Sequence, residues 1–471
     1  MRVLGRGIMR AWRKILTLSF TLLLLVSMSA APAFANSAQS YWHGTDAAGA
    51  MITDGDCPIT VEKEWLTFDI GQFPENYYRE EADFLKYDAR VRAEYTFYNP
   101  ADYTVEATLV FPFGGAPDYG EAFAYADKYD ITVDGEPVDH EIRHTLFFPG
   151  EQFKLDEDLE NLHEGYMKDA FYRPDMPVTK FTYQTSGVDL ETYNAASAAF
   201  VLNTDEARTR VYFQNCNGGR SLEEGGVQME SWVEPEKLME VYVIGDPLEP
   251  MIDWKIYENG ACETEIEGTM TLMGTESMTL KDFAMAEYDA KYGVMESDWY
   301  NAIITLLRNC KWEGGAIPAF DVNFNMSHQL MQWYEYDIVI GPGERIVNTV
   351  TAPIYPSIDG DYEPPVYKYT YLLSPAQTWA DFGTLDIEVN TPFYMTKSGP
   401  EGFEWQNPGY ELHLDSLPDE ELTFTLCADE KPDAPGIGGF SQSIFFFVAT
   451  FITGMISSTL YLRRKEKREK Q

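Results

Sequence analysis

The stretch Val91-Arg92-Ala93-Glu94-Tyr95-Thr96-Phe97-Tyr98-Asn99-Pro100-Ala101-Asp102-Tyr103-Thr104-Val105-Glu106-Ala107-Thr108-Leu109-Val110-Phe111 sets the fold class of this chain. Val91, Ala93, Tyr95 and Phe97 alternate with Arg92, Glu94, Thr96 and Tyr98. Asn99-Pro100-Ala101-Asp102 is turn chemistry, and Tyr103, Val105, Ala107, Leu109 and Phe111 then alternate again. Successive side chains of a strand point to opposite faces, so period-two text on both sides of a turn predicts an antiparallel hairpin with one face buried.

The same pattern recurs outward from this point. Ile131-Thr132-Val133-Asp134-Gly135-Glu136-Pro137-Val138 predicts a second hairpin, because Asp-Gly suits a tight turn. Further strand text lies at 58–70, 178–184, 208–214, 239–244, 366–373, 384–389 and 421–427. Tyr334, Tyr336, Ile338 and Ile340 alternate up to Gly341-Pro342-Gly343, and 346–352 reads as a return strand. This 334–356 unit repeats the layout of 91–113, which fits either an internal duplication or two unrelated hairpins. Between about 276 and 312 the period changes to that of helices. Thr279 with Asp282 fits a capping box, Gly293 suits a helix end, and Ser297 is placed to cap a helix bearing Trp299, Ile303, Leu306 and Cys310. Residues 155–166 carry Leu155, Leu159, Leu162 and Tyr166 on one helical stripe.

The fold class expected is mainly β with a helical insertion, an antiparallel β-sandwich type. Its expected division is an N-terminal β-rich region at 36–250, linker strands and a helical insertion at 251–318, and a C-terminal β-rich region at 319–430.

Both ends of the chain read as membrane signals. Arg2, Arg6, Arg10, Arg13 and Lys14 precede an apolar run from Ile15 to Met28 and a small-x-small site at Ala33-Phe34-Ala35, the layout of a signal peptide over 1–35. Phe440 to Leu462 is an uncharged apolar run, long enough at about 1.5 Å per residue to cross a ~30 Å hydrocarbon core. The basic tail at 463–471 places that side in the cytoplasm. The segment 431–439, Pro- and Gly-rich, reads as a stalk and lacks an LPxTG-type sorting motif, so the span is expected to be retained. The localisation expected is single-pass in the plasma membrane, with the bulk outside and membrane lipid contacted through Phe440 to Leu462.

Charge narrows the partners. Taking the leader's five basic residues, and the tail's six basic and two acidic ones, from 35 basic and 76 acidic leaves 24 and 74, a net charge of −50. Nucleic acid is excluded as a partner, because binding it needs clustered positive charge against phosphate. Cys57, Cys216, Cys262, Cys310 and Cys427 contain no CxxC pair, which leaves a zinc ribbon unsupported and gives no connectivity.

One motif bears chemistry. His140-Glu141-Ile142-Arg143-His144 matches HExxH, in which two His one helical turn apart hold zinc and the Glu acts as general base. Glu164 lies where a third ligand could come from. Against this, the Asp134-Gly135 turn predicts a returning strand, on which residues four apart are ~13 Å apart, too far to share one zinc. Pro137 stands just upstream and Arg143 lies within, although Pro137 could instead open a helix with Val138, Ile142 and Leu146 on one face. Asp54-Gly55-Asp56 and Asp359-Gly360-Asp361 read as turns rather than calcium loops. No nucleophile elbow and no phosphate-binding glycine loop is present.

Tyr95-Thr96-Phe97-Tyr98-Asn99-Pro100 with Phe111-Pro112-Phe113-Gly114, and Tyr369-Thr370-Tyr371-Leu372-Leu373-Ser374-Pro375-Ala376 through Trp379, resemble segments of uncharacterised exported, C-terminally membrane-anchored β-sandwich proteins of Gram-positive bacteria. The resemblance implies the layout already read: signal peptide, sandwich ectodomain with a helical insertion, and anchor. It implies no activity and no functional residue.

The function expected is therefore a non-enzymatic cell-surface binding or scaffolding ectodomain, with an extracellular protein or glycan as partner and no cofactor. Alternatives are a membrane-anchored zinc-dependent hydrolase using His140, Glu141, His144 and Glu164, and a sensing subunit of an envelope complex. Calcium on the acidic surface is the other metal reading.

Overall fold

The alternating stretches become strands whose apolar faces meet. The computed structural model describes residues 41–433 apart from 49, 53–55, 75–86, 114–128, 148–153, 224, 235 and 319–328. The principal strands in its first part are β1 (Thr60–Asp69), β2 (Arg90–Tyr98), β3 (Val105–Phe113) and β4 (Glu141–Leu146). Next come β5 (Pro177–Ser186), β6 (Thr209–Phe213), β7 (Met239–Gly245) and β8 (Thr269–Thr279). The last are β9 (Leu330–Ile340), β10 (Arg345–Pro353), β11 (Val366–Leu372), β12 (Phe382–Asn390), β13 (Gly409–Leu414) and β14 (Leu422–Cys427). The α-helices among the described residues are α1 (Leu155–Glu160), α2 (Leu280–Ala284) and α3 (Glu296–Asn309).

The expected hairpin at 91–113 does not form. β2 lies between β1 and β10 in an eight-stranded sheet, whereas β3 lies beside β9 in a ten-stranded one. The turn at Asn99 is therefore the corner of an arch that carries the chain from one sheet to the other. β9 and β10 make a second arch of the same kind, and the two exchange partners: β2 pairs with β10 (Tyr98↔Arg345) and β3 with β9 (Val105↔Ile340), both antiparallel. The arch closes the core from both sides. A hairpin would put both alternating sets on one wall, but the arch sets Val91, Ala93, Tyr95 and Phe97 facing Val105, Ala107, Leu109 and Phe111 in one core. Each large apolar side chain so buried is worth roughly 1.5–3 kcal/mol.

Asn99 holds the corners together. It is fully buried, and its Nδ2 donates to the carbonyls of Tyr103 (2.8 Å) and Ile340 (2.9 Å), the end of the second arch's first strand. Its Oδ1 accepts from the Ala101 N–H at 2.9 Å. Tyr103, expected in the apolar series, sits at the corner and is 58% exposed. The second expected hairpin does form: Asp130–Val133 pairs with Glu136–Pro137 across Asp134 and Gly135, whose φ values of 51° and 81° are those of a primed turn.

Residues from 177 to 318 build a body of their own. β8, β5, β7, β6 and the short strand Ala316–Pro318 form a five-stranded sheet in that order. One face of it packs Phe181, Tyr183, Val211 and Phe213 in a common core with Leu202, Val227 and Met229 of a four-stranded sheet. The other face packs Val178, Tyr212, Tyr242 and Ile244 with Phe283, Ile303, Leu306 and Leu307 of α2 and α3.

Strands from either side of the boundaries expected at 250/251 and 318/319 share sheets. The two β-rich regions interleave strand by strand in one sandwich, and the insertion includes strands from 177 onward as well as the helices. The capping box expected at Thr279 is present, Asp282 N–H donating to Thr279 Oγ1 (3.1 Å) and Thr279 N–H to Asp282 Oδ2 (3.0 Å). α3 begins earlier than Ser297 suggested, with Met295 as its N-cap. α1 stops at Glu160; Leu159 and Leu162 pack against Met331 and Trp333, while Tyr166 packs against the α2–α3 core. Among the described residues no helix is long and apolar enough to cross a membrane. The leader, most of the stalk and the run Phe440 to Leu462 lie outside the described residues.

Candidate functional site

The HExxH segment is a strand. Glu141–Leu146 pairs antiparallel with β9 (His144↔Gln332, Glu141↔Glu335). His140 is exposed on the approach to it, and Glu164 is exposed beyond the end of α1. Extended backbone places the two His about 13 Å apart, so the helical geometry required by the zinc-hydrolase reading is not formed. Among the described residues no group of three or more His, Cys, Asp and Glu is placed to hold a metal ion.

Arg143, which broke the motif, has a structural task. It is buried, and its Nε and Nη2 donate to Asp298 Oδ2 (3.1 Å) and Oδ1 (3.0 Å) in the first turn of α3. Its Nη2 also donates to the His163 carbonyl (2.6 Å) and its Nη1 to Glu335 (3.3 Å). The backbone N–H of His144 donates to the same Asp298 (2.8 Å). This cluster fastens the insertion's helix to the sandwich. Burial, and then the charge of Arg143, push the His144 imidazole down to about 4, so it is neutral near pH 7.

A second buried polar group lies inside the sandwich. Glu64, on the inner face of β1, is fully buried. Tyr371 of β11, in the opposite sheet, donates its hydroxyl to Glu64 Oε1 (3.2 Å). The Tyr95 hydroxyl lies 3.1 Å from that of Tyr371 and accepts from the Ala50 N–H (3.2 Å). Glu64 Oε2 has no hydrogen-bond partner among the described residues. Burial raises the Glu64 carboxyl to about 7, more than the tyrosine hydrogen bonds lower it.

The arrangement best suited to a ligand is a cleft of about 550 Å³ in the inserted body, lined by strands of the five-stranded sheet, by α2 and by Ile303 of α3. Its size is that of ligand pockets. The register places Lys180, Tyr242 and Tyr212 side by side on β5, β7 and β6. Tyr212, Tyr242 and Phe283 form a ring cluster, with Tyr242 and Phe283 centroids 4.9 Å apart and Tyr212 and Tyr242 5.8 Å apart. Lys180 Nζ lies 2.6 Å from Glu240 and 5.6 Å above the Tyr242 ring. The Tyr242 hydroxyl donates to Glu240 Oε2 (2.7 Å). Burial, then Glu240, raises the Tyr242 phenol, so it stays protonated. A second cleft of about 520 Å³ lies on the open face of the eight-stranded sheet, beside Trp65, Asp386 and His413.

Of the cleft residues, the sequence marked Asp282 only as a helix cap and Ile303 only as part of a helical stripe, and it singled out none of the others. Lys180, Tyr212, Glu240 and Tyr242 lie in stretches read as strands, but they come from three strands and meet only through register. The one available signal was a Tyr at the polar phase of each of two apolar strands.

No family model matches the chain, and no curated protein does. Among solved structures, one from Legionella pneumophila subsp. pneumophila str. Philadelphia 1, of a protein provisionally described as nutrient binding, aligns over 82% of this chain and 72% of that one. Sequence identity is 9% and the TM-score is 0.36, a likeness too distant to carry a role to this chain.

Proposed function

We propose that this chain is a binding or scaffolding module displayed outside a plasma membrane, and that the cleft beside Tyr242 is its ligand site. The cleft carries the reading: it is a concave site of ligand size, lined by the packed rings of Tyr212, Tyr242 and Phe283 and by an ordered Lys180–Glu240 pair. The display half of the proposal rests on the leader at 1–35, the run Phe440 to Leu462 and the basic tail. An extracellular protein or glycan is the partner class proposed.

Two measurements test it. On intact cells, external protease should remove the body while an epitope fused after Gln471 survives; loss of that epitope refutes the orientation. Cross-linking on the same cells should trap a partner, and Tyr242→Ala should reduce its yield. An unchanged yield removes the cleft from the binding surface.

A further inference from the structure

We infer that the cleft beside Tyr242 takes an organic cation, an ammonium carried on a small apolar body; this rests on the cleft being a ligand site. The charge balance of the lining decides the class. Among the described residues Lys180 is the one cation lining the cleft, and Glu240 neutralises it at 2.6 Å. No unpaired positive charge therefore remains in that lining for a carboxylate or phosphate ligand. Asp282 and Glu287 stand at the rim, so the lining is net negative, within a chain of net charge −41. Glu287 is exposed and has no ion partner among the described residues. Such a field draws cations in and repels anions.

The floor suits the same ligand. Aromatic faces carry negative charge density and attract ammonium groups. Tyr212, Tyr242 and Phe283 supply three rings close to one another, with centroid distances of 5.8, 5.7 and 4.9 Å. Donation of the Tyr242 hydroxyl to Glu240 adds electron density to that ring. The chain's own ammonium, Lys180 Nζ, already lies over the same ring. Phe283, Ala284 and Ile303 provide the apolar wall for the ligand's body.

Titration calorimetry on the full chain in maltoside micelles tests this with choline chloride and its uncharged isostere 3,3-dimethyl-1-butanol. Choline should saturate one site per chain, and the isostere should bind at least about three-fold more weakly, because a cation over aromatic faces is worth about three- to thirty-fold in affinity. Tyr242→Ala should abolish choline binding, and Tyr242→Phe, which keeps the ring, should retain it. Glu287→Gln, a surface change that leaves the core intact, should weaken choline several-fold and flatten its salt dependence. Equal binding of the isostere overturns the proposal, as does choline binding that ignores Glu287→Gln. If choline is inert but glucose or glycylglycine saturates the cleft, the cation class is wrong while the binding role stands. If none of these probes binds and Tyr242→Ala leaves partner cross-linking unchanged, both fail.

Discussion

Replacing Glu64 by Gln should change how the stability of the sandwich depends on pH. The carboxyl lies between the two sheets with one oxygen bonded to Tyr371 and the other without a partner among the described residues. Its pKa moves from 4.5 to about 7 on folding. A folded value above the unfolded one means that the folded state prefers the protonated acid. The stabilisation is complete below about 4.5 and is lost as pH rises through 7. At about 1.4 kcal/mol per pKa unit, the wild type should lose roughly 3 kcal/mol between pH 4 and pH 8 through this one group. The amide introduced by Glu64→Gln does not titrate. It keeps an acceptor for Tyr371, and its burial costs about 1–3 kcal/mol at every pH. The variant should thus be the less stable protein at pH 4 and should approach or overtake the wild type at pH 8. Hydrogen exchange of the peptides covering 90–98 and 366–372, corrected for intrinsic rates, reports opening of the sandwich alone. Carboxylates common to both proteins cancel in the comparison. Parallel pH profiles would refute the reasoning, because Glu64 would then be equally easy to ionise folded and unfolded.

Other outcomes follow from the same geometry. Asp298→Asn should leave the buried Arg143 with Glu335, at 3.3 Å, as its remaining carboxylate partner and cost up to about 3–5 kcal/mol, whereas Arg143→Met with Asp298→Leu should recover most of that loss; thermal melting of both variants decides it. Asn99→Ala should orphan the Tyr103 and Ile340 carbonyls at the two arch corners, with a loss of about 1–3 kcal/mol read as a lower urea midpoint. In an NMR titration, His413, held above the ordinary imidazole range by its hydrogen bond to Asp386, should protonate at higher pH than free histidine. Asp386→Asn should bring it back down. His144, at about 4, should stay neutral over the range in which His413 titrates.

The strands were legible and their partners were not. Period two at 91–97 and 105–111 reports which face is buried, and those faces are the ones buried in the core. A one-residue alternation cannot tell a hairpin from an arch, since both bury the same residues. The difference rests on Ile340, 241 positions from Asn99, which no local pattern encodes. Asp134-Gly135 was readable because its turn requires positive φ at both residues. The capping box at Thr279 was readable because both partners lie within one turn. Arg143 looked like a defect in a metal motif because its partner, Asp298, is 155 positions away. The cleft stayed hidden for the same reason: Lys180, Tyr212 and Tyr242 become neighbours only through sheet register.

The place where the insertion joins the sandwich bears on how the chain is assembled. Leu146, the last residue of β4, is the cross-strand partner of Leu330, the first of β9. Everything between them, including the helices and both smaller sheets, is topologically the loop of one β-hairpin. Closing so long a loop is entropically slow while it is unfolded. Once the insertion has folded, its internal contacts shorten the span of chain that remains to be closed. Chain synthesised N-terminus first therefore completes the insertion while β9 and β10 are still missing. The sandwich can close only after those strands arrive, with the folded insertion presenting them to β4, β3 and β2. The same pairing makes the span between Leu146 and Leu330 the one to excise, with Arg143→Met made alongside because its partner Asp298 leaves with the insertion.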